Sequence, residues 1–289
     1  MLAAKNFTCD TAVFVELLDG YDILVCGYLE NGVRTCVNNE ISRSKMLLTV
    51  VADYVRTRIG KVAKYTSSRS RSELVKNFRG FIAVKPNCSI QSYVPMLTPL
   101  LSFEPYEIVA TTYQAISGAG KTFAEWQEMV DNVIPFIGGE EEKSEQEPLK
   151  VWGSIQNGEI VKTNDIKITT QCIRVPVTDG HTAAVFVKFR NKPTKEQILT
   201  AWKNFRGEPQ ELSLPHAPEQ FITYFEEDNR PQAKLDRDIF GGMGVCAGRL
   251  REDSVYDYKF VGLSHNTLRG AAGGAVLIAE LLYKKGYFD

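Results

Sequence analysis

An α/β (α+β) fold is predicted for this 289-residue chain by three features. Its 44% hydrophobic content suffices for one large core or two smaller ones. From Phe78 onward, strand-like runs alternate with helical stretches. Thr194 to Phe205 reads as a helix that opens on a capping box, with Thr194 at the N-cap and Gln197 three residues on.

The elements follow in order. Residues 1–77 are an N-terminal segment of unclear fold. Its apolar runs are short (Ala12 to Leu18, Ile23 to Tyr28), Gly20, Gly27 and Gly32 lie between or beside them, and a Ser- and Arg-rich linker spans about 56–76. Residues 78–289 form the second unit. Gly80 to Val84 reads as a buried strand running through Pro86 into a helix from near Cys88 to about Leu101. Glu107 to Tyr113 is a strand, and Thr122 to Val133 has helical periodicity through Phe123, Trp126, Met129, Val130 and Val133. Ile166 to Val175 and His181 to Phe189 are β-branched runs joined by Pro176-Val177-Thr178-Asp179-Gly180, which predicts an antiparallel pair. Met243 to Leu250 and Tyr256 to Leu263 add strands. A helix from about Asn266 to Lys285, with Gly286 as C′, closes the chain.

Composition narrows the function classes. There is no run of eighteen apolar residues, and no basic stretch precedes an apolar one at the start, so a cytoplasmic protein without a membrane partner is predicted. Six scattered cysteines with no histidine at zinc spacing predict free thiols and no metal site. A net charge of -1 argues against nucleic acid as a partner. Locally the balance differs: residues 1–80 carry twelve Lys/Arg against eight Asp/Glu, and the excess lies between Arg56 and Lys76. A solvated segment accounts for it more simply than a phosphate-binding patch does.

Cys88, in Pro86-Asn87-Cys88-Ser89, falls where a strand turns into a helix. A thiol there meets unpaired backbone N–H groups and the positive end of the helix dipole, which favour the thiolate. The plain alternative is a small buried side chain. An acid/base partner has to come from His181, His216 or His265. His181 shares a strand face with Ala183, Val185, Val187 and Phe189, which fits a catalytic or a satisfied structural histidine equally well. His216 reads as a loop residue and His265 as a helix cap. Arg174 interrupts an otherwise apolar face with Ile166, Ile168 and Cys172, so it needs an anion, either a structural carboxylate or a substrate carboxylate. Glu140-Glu141-Glu142-Lys143 is a solvated helix start or a site for a zwitterion. Gly118 and Gly120 imply close backbone approach, as does Gly270-Ala271-Ala272-Gly273-Gly274.

From about Phe78 to Leu282 the chain resembles the aspartate-semialdehyde dehydrogenases. The motifs that carry the resemblance are PNCS around Cys88, YQAISGAGK from Tyr113, NVIPFIGGEEEK from Asn132, RVPVTDGH from Arg174, LDRD with GGMGV near Asp236, and LSHNTLRGAAGG from Leu263. The resemblance implies a glyceraldehyde-3-phosphate-dehydrogenase-like catalytic domain with a mixed or antiparallel sheet. It also implies NADP(H)-linked interconversion of aspartyl 4-phosphate and aspartate 4-semialdehyde, toward lysine, threonine and methionine, by a homodimer or homotetramer. Carried over by motif position, Cys88 would be the thioester-forming nucleophile, His181 the acid/base, and Gln114 the residue that orients the intermediate. Arg174 and Glu140 would hold the substrate's carboxylate and amino group, with Lys143 near the phosphate. Ser117, Gly118 and Asn266 would lie at the nicotinamide end of the cofactor.

The family opens on a Rossmann-type half with a G-x-x-G-x-x-G turn, and residues 1 to about 75 contain no such turn. They read as an incomplete or replaced Rossmann half, which predicts weak or absent NADPH binding. Two other readings stand beside the enzyme: a non-catalytic dimerising domain that keeps the fold, and an N-acyl-glutamyl-phosphate reductase. The Glu140 to Lys143 segment, suited to a free amino group, argues against the second of these.

Overall fold

The computed structural model describes residues 3–6, 12–17, 21–26, 47–51, 80–156 and 159–285. The predicted linker at about 56–76 and Gly286 lie outside them. Among the described residues, thirteen strands fall into three sheets.

The first sheet has the order β1 (Ala3–Asn6), β2 (Ala12–Leu17), β3 (Tyr21–Cys26), β4 (Leu47–Val51), β5 (Gly80–Val84). β1, β2 and β3 pair antiparallel, and β3, β4 and β5 pair parallel. The strand leading to Cys88 is therefore hydrogen-bonded to the N-terminal sheet.

The second sheet carries the site. Its order is β11 (Ile222–Phe225), β12 (Val245–Glu252), β13 (Tyr258–Ser264), β10 (His181–Phe189), β6 (Pro105–Gln114), β9 (Lys167–Arg174). β7 (Ser154–Gln156) and β8 (Glu159–Val161) form a separate hairpin. The two runs predicted to pair with each other, β9 and β10, do not. β6 sits between them, parallel to β9 and antiparallel to β10. Alternation shows which face a strand buries but not which strand lies beside it.

One face of this sheet is covered. Ile108 and Ala110 on β6, Ala183, Val185 and Val187 on β10, and Phe260 on β13 meet Ile90, Tyr93, Met96, Leu97 and Leu100 from the segment after Cys88. The single helix predicted for that segment is broken into a 3-10 turn (Ser89–Ser92), one α-turn (Val94–Leu97) and a second 3-10 stretch (Thr98–Phe103). Pro95 and Pro99 carry no N–H to continue a regular ladder. Three longer helices complete the fold: α1 (Glu140–Val151), α2 (Lys195–Asn204) and α3 (Ala272–Lys284). The capping box of α2 forms as predicted. α3 lies against β3 and β4, so it links the two large sheets.

Two predicted helices are corrected. The stretch Thr122 to Val133 forms turns and one 3-10 turn, Gln127–Met129. Of its apolar residues Met129 is buried, whereas Val130 and Val133 are exposed, so the spacing does not mark one packed face. The last helix begins at Ala272 and not near Asn266, because His265 Nδ1 accepts the N–H groups of Thr267 and Leu268 and holds residues 265–271 as turns. Among the described residues, no helix is long and apolar enough to cross a membrane.

Trp202 on α2 is 1% exposed, packs edge-on against Phe260 and donates its indole N–H to the Met96 carbonyl at 2.7 Å. It ties α2 to the segment that follows Cys88. Trp202→Ala should cost about 3–5 kcal/mol in urea unfolding. Trp202→Phe keeps most of the volume but orphans the carbonyl, and should cost about 1–3 kcal/mol.

Candidate active site

Period-two alternation places the chemistry. On β10 the covered face begins with His181, which is fully buried. On β6 the same face runs Ile108, Ala110, Thr112, Gln114, and on β9 it ends Cys172, Arg174. The register sets Thr182 opposite Tyr113 and Gln114 opposite Arg174, so His181, Gln114 and Arg174 gather at one end of three adjacent strands. Cys88 arrives from the covering layer. Its sulfur lies 3.6 Å from His181 Nε2.

The tautomer of His181 follows from its other nitrogen. Nδ1 accepts the Ala115 backbone N–H at 3.1 Å, so in the neutral ring the proton sits on Nε2, facing the sulfur. Burial, with the charge of Arg174 and then His265 adding to it, holds the ring well below its ordinary pKa. The imidazole is therefore a neutral donor at pH 7.

The electrostatics of the site oppose the thiolate that the dipole argument favours. Cys88 stands at the mouth of a four-residue 3-10 turn, where the aligned dipoles are few. Burial, and next the carboxylate of Glu140, push the thiol from its ordinary 9.0 up to about 11, and Lys85 and Arg174 offset only part of this.

Arg174 donates to the Ala115 carbonyl at 2.6 Å, and burial lowers its pKa. Among the described residues no carboxylate lies within ion-pair distance of it. Glu140 is buried, with both oxygens 3.1 Å from Asn87 Nδ2 and with Lys143 Nζ at 3.2 Å. Gln114 Nε2 reaches Thr112 Oγ1 at 3.2 Å and Glu140 Oε2 at 3.4 Å. Asn266 bridges two loops, donating to Ser117 Oγ at 2.9 Å and accepting from Gly180 N at 2.8 Å.

Two glycines are required by close approach. A Cβ on Gly118 would stand 2.9 Å from both Arg174 Nη1 and His181 Cε1, and one on Gly270 would stand 2.6 Å from Cys88 Cβ. Gly120 has no such neighbour; its positive φ of 67° closes a turn. The glycine cluster of residues 270–274 is thus explained in part by contact with Cys88. All nine site residues expected from the sequence, Cys88, His181, Gln114, Arg174, Glu140, Lys143, Ser117, Gly118 and Asn266, fall in this one region. Sequence reasoning missed Asn87 as the group that clamps Glu140, and it missed the Ala115 N–H, which no side-chain pattern encodes. His216 lies elsewhere, paired with the buried Glu280 on α3 at 2.5 Å.

The electrostatics predict the alkylation profile of Cys88. Iodoacetamide should react with a midpoint near pH 11, about 100-fold more slowly at pH 7 than with an unperturbed thiol, and with no step near pH 6.5 because His181 stays neutral. A midpoint below 8 would contradict the burial argument.

Comparison with known proteins places this geometry in a family. Residues 97–269 match the semialdehyde dehydrogenase dimerisation domain. The aspartate-semialdehyde dehydrogenase of Methanothermobacter thermautotrophicus is 42% identical over 210 residues, 72% of this chain and 60% of the relative. That of Schizosaccharomyces pombe is 38% identical over 293 residues, 96% of this chain and 80% of the relative. The chain thus spans about 60% of the archaeal relatives it matches. The Candida albicans enzyme, solved with NADP, superposes with a TM-score of 0.72 at 30% identity, covering 84% of this chain and 79% of that one. At 21% identity, the Vibrio cholerae aspartate semialdehyde dehydrogenase II shares the fold, with a TM-score of 0.61 over 98% of this chain and 89% of that one. The chain belongs to the aspartate-semialdehyde dehydrogenase family.

Proposed function

We propose that the chain is an NADP-dependent semialdehyde dehydrogenase acting on aspartyl 4-phosphate through a thioester on Cys88. The observation that carries this is the 3.6 Å approach of the Cys88 sulfur to a buried, neutral His181. The Cys88 sulfur attacks the acyl carbon, a C–S bond forms, the C–O bond to phosphate breaks with its electron pair going to the phosphate oxygen, and the thiol's proton leaves on the departing phosphate as hydrogen phosphate. His181 keeps its Nε2 proton and donates it as a hydrogen bond to the acyl oxygen, where charge develops in the adduct, until the carbonyl re-forms. Gln114 and the clamped Glu140 orient the acyl group and the ammonium, and Lys143 stands beside Glu140 for the phosphate. Arg174, buried without a carboxylate partner among the described residues, suits the substrate's α-carboxylate.

The groups beside the thiol and imidazole support NADP(H) at this site. The small residues Ser117, Gly118 and Gly270 surround the thiol and imidazole, and the Ser117 hydroxyl and Asn266 amide are there to orient a carboxamide. When bound, the cofactor supplies the hydride that reduces the thioester. We also assign dimerisation to the open face of the six-stranded sheet, where Val109, Thr111, Ala184, Phe186 and Val261 stay half-buried in the single chain. A second copy of this chain would cover them. The matched dimerisation domain supports that occupant. We keep the division into an N-terminal segment, 1–77, and a catalytic domain, 78–289, and we place the protein in the cytoplasm.

The test is formation of NADPH from aspartate semialdehyde, NADP and phosphate, run at millimolar cofactor. Wild type should turn over, and Cys88→Ala should fall by at least 1,000-fold, about 4 kcal/mol of transition-state stabilisation. Equal rates in the two proteins would refute the assignment. Calorimetric titration should give NADPH binding weaker than micromolar, because the sequence of residues 1–77 holds no G-x-x-G-x-x-G motif.

A further inference from the structure

We propose that Glu147 and Ser144 are positioning residues that hold the nucleophile segment Asn87–Ser89 against α1, the helix that also presents Glu140 and Lys143. The inference rests on Cys88 being the nucleophile, and it concerns what fixes that residue in place.

Within the segment the side-chain bonds are local, Asn87 Oδ1 to Ser89 and Ser92 Oγ to the Ser89 carbonyl. Cys88 opens a 3-10 turn of only four residues with no side-chain cap, and the turn breaks at Tyr93. Its anchors come from across the layer. Glu140, Ser144 and Glu147 recur at i, i+4 and i+7, which puts them on one face of α1 over about 10 Å. All three are buried, at 6%, 0% and 1% exposure. Each meets the segment. Glu147 Oε2 accepts the Asn87 backbone N–H at 2.7 Å, both Glu140 oxygens lie 3.1 Å from Asn87 Nδ2, and Ser144 Oγ lies 3.1 Å from Ser89 Oγ. The Ser144 carbonyl accepts the Tyr93 hydroxyl at 2.6 Å, and Asn87 Oδ1 closes the loop by accepting Ser89 N–H at 2.9 Å. The two residues flanking Cys88 are thus both bonded to α1.

The charges show that holding the segment, not activating the thiol, accounts for Glu147. The groups facing Cys88 are Glu140 and Glu147 from α1, Lys85 from its own segment, Arg174 from β9 and His181 from β10. Glu147 disfavours the thiolate, so its presence works against the reactive form. Its short bond to Asn87 N explains why a carboxylate sits there. The arrangement makes one rigid helix carry both the grip on the sulfur's backbone and the carboxylate for the substrate's ammonium, so nucleophile and substrate share a reference frame.

The test uses the whole chain and two readouts that need no turnover: hydrogen–deuterium exchange over residues 86–93, and the pH profile of Cys88 alkylation. Glu147→Ala should exchange in that segment at least tenfold faster than wild type, with β10 and β13 still protected. Glu147→Gln keeps an acceptor, so it should keep the protection while its alkylation midpoint moves to lower pH with the charge gone. Ser144→Ala should speed exchange at Ser89. Wild-type exchange in Glu147→Ala, or lost protection in Glu147→Gln, would overturn the proposal. If Glu147→Ala does not fold, Glu147→Gln and Ser144→Ala decide: protection kept in the first with faster exchange at Ser89 in the second supports it, and lost protection in the first or wild-type exchange at Ser89 in the second overturns it. A wild-type Cys88 that resists alkylation at every pH would sink the nucleophile assignment, and exchange would still judge the anchor.

Discussion

Cys88 and His181 are 93 residues apart in the chain, and their meeting depends on the register of β10, β6 and β9. Because strand side chains alternate, a slip of one residue would turn His181, Gln114 and Arg174 onto the open face of the sheet together. The apolar residues that follow them on the same face prevent this. Ala183, Val185 and Val187 on β10, and Ile108 and Ala110 on β6, can be buried in only one register. The core therefore sets the position of the polar groups at its edge, and the covering segment sets the depth of the sulfur.

That depth has an electrostatic consequence. The thiol sits where burial and Glu140 disfavour its ionised form, and the imidazole beside it is held neutral by the same burial. The resting site is a pair of neutral groups. In the proposed reaction, a ligand bearing an ammonium opposite Glu140 would offset one of the charges that oppose the thiolate, which would couple substrate binding to activation of the sulfur through that carboxylate. Arg174, whose side chain also rests on the Ala115 carbonyl, supplies the positive field on the other flank. Ala115 holds both partners through its two backbone groups, its N–H on His181 and its carbonyl on Arg174.

Much of this was legible in the sequence, for identifiable reasons. Strand faces follow from alternation, so the covered side of β10 and the unusual position of Arg174 were readable. The capping box at Thr194 is a local signal and formed as read. Strand neighbours are not local, and β6 between β9 and β10 could not be inferred from a five-residue connection. The helix read into Thr122 to Val133 failed because apolar spacing is a proxy for a buried face, and there is no such face. The thiolate expected at Cys88 took the dipole of a full helix for granted, whereas the turn there has four residues and desolvation works against the charge. Ser144 and Glu147 carry no signal of their own in the sequence, and only the fold shows that they face inward.

The central claim, that Cys88 carries the acyl group, is tested most directly by trapping it. Brief reaction with aspartyl 4-phosphate without NADPH, acid quenching and peptide mass analysis should show the aspartyl group as a hydroxylamine-labile adduct on the Cys88 peptide. That step requires only the sulfur, the imidazole and a leaving phosphate, so it does not depend on cofactor affinity. Acyl transfer to another residue, or an unmodified Cys88 with phosphate released at the wild-type rate, would contradict the account.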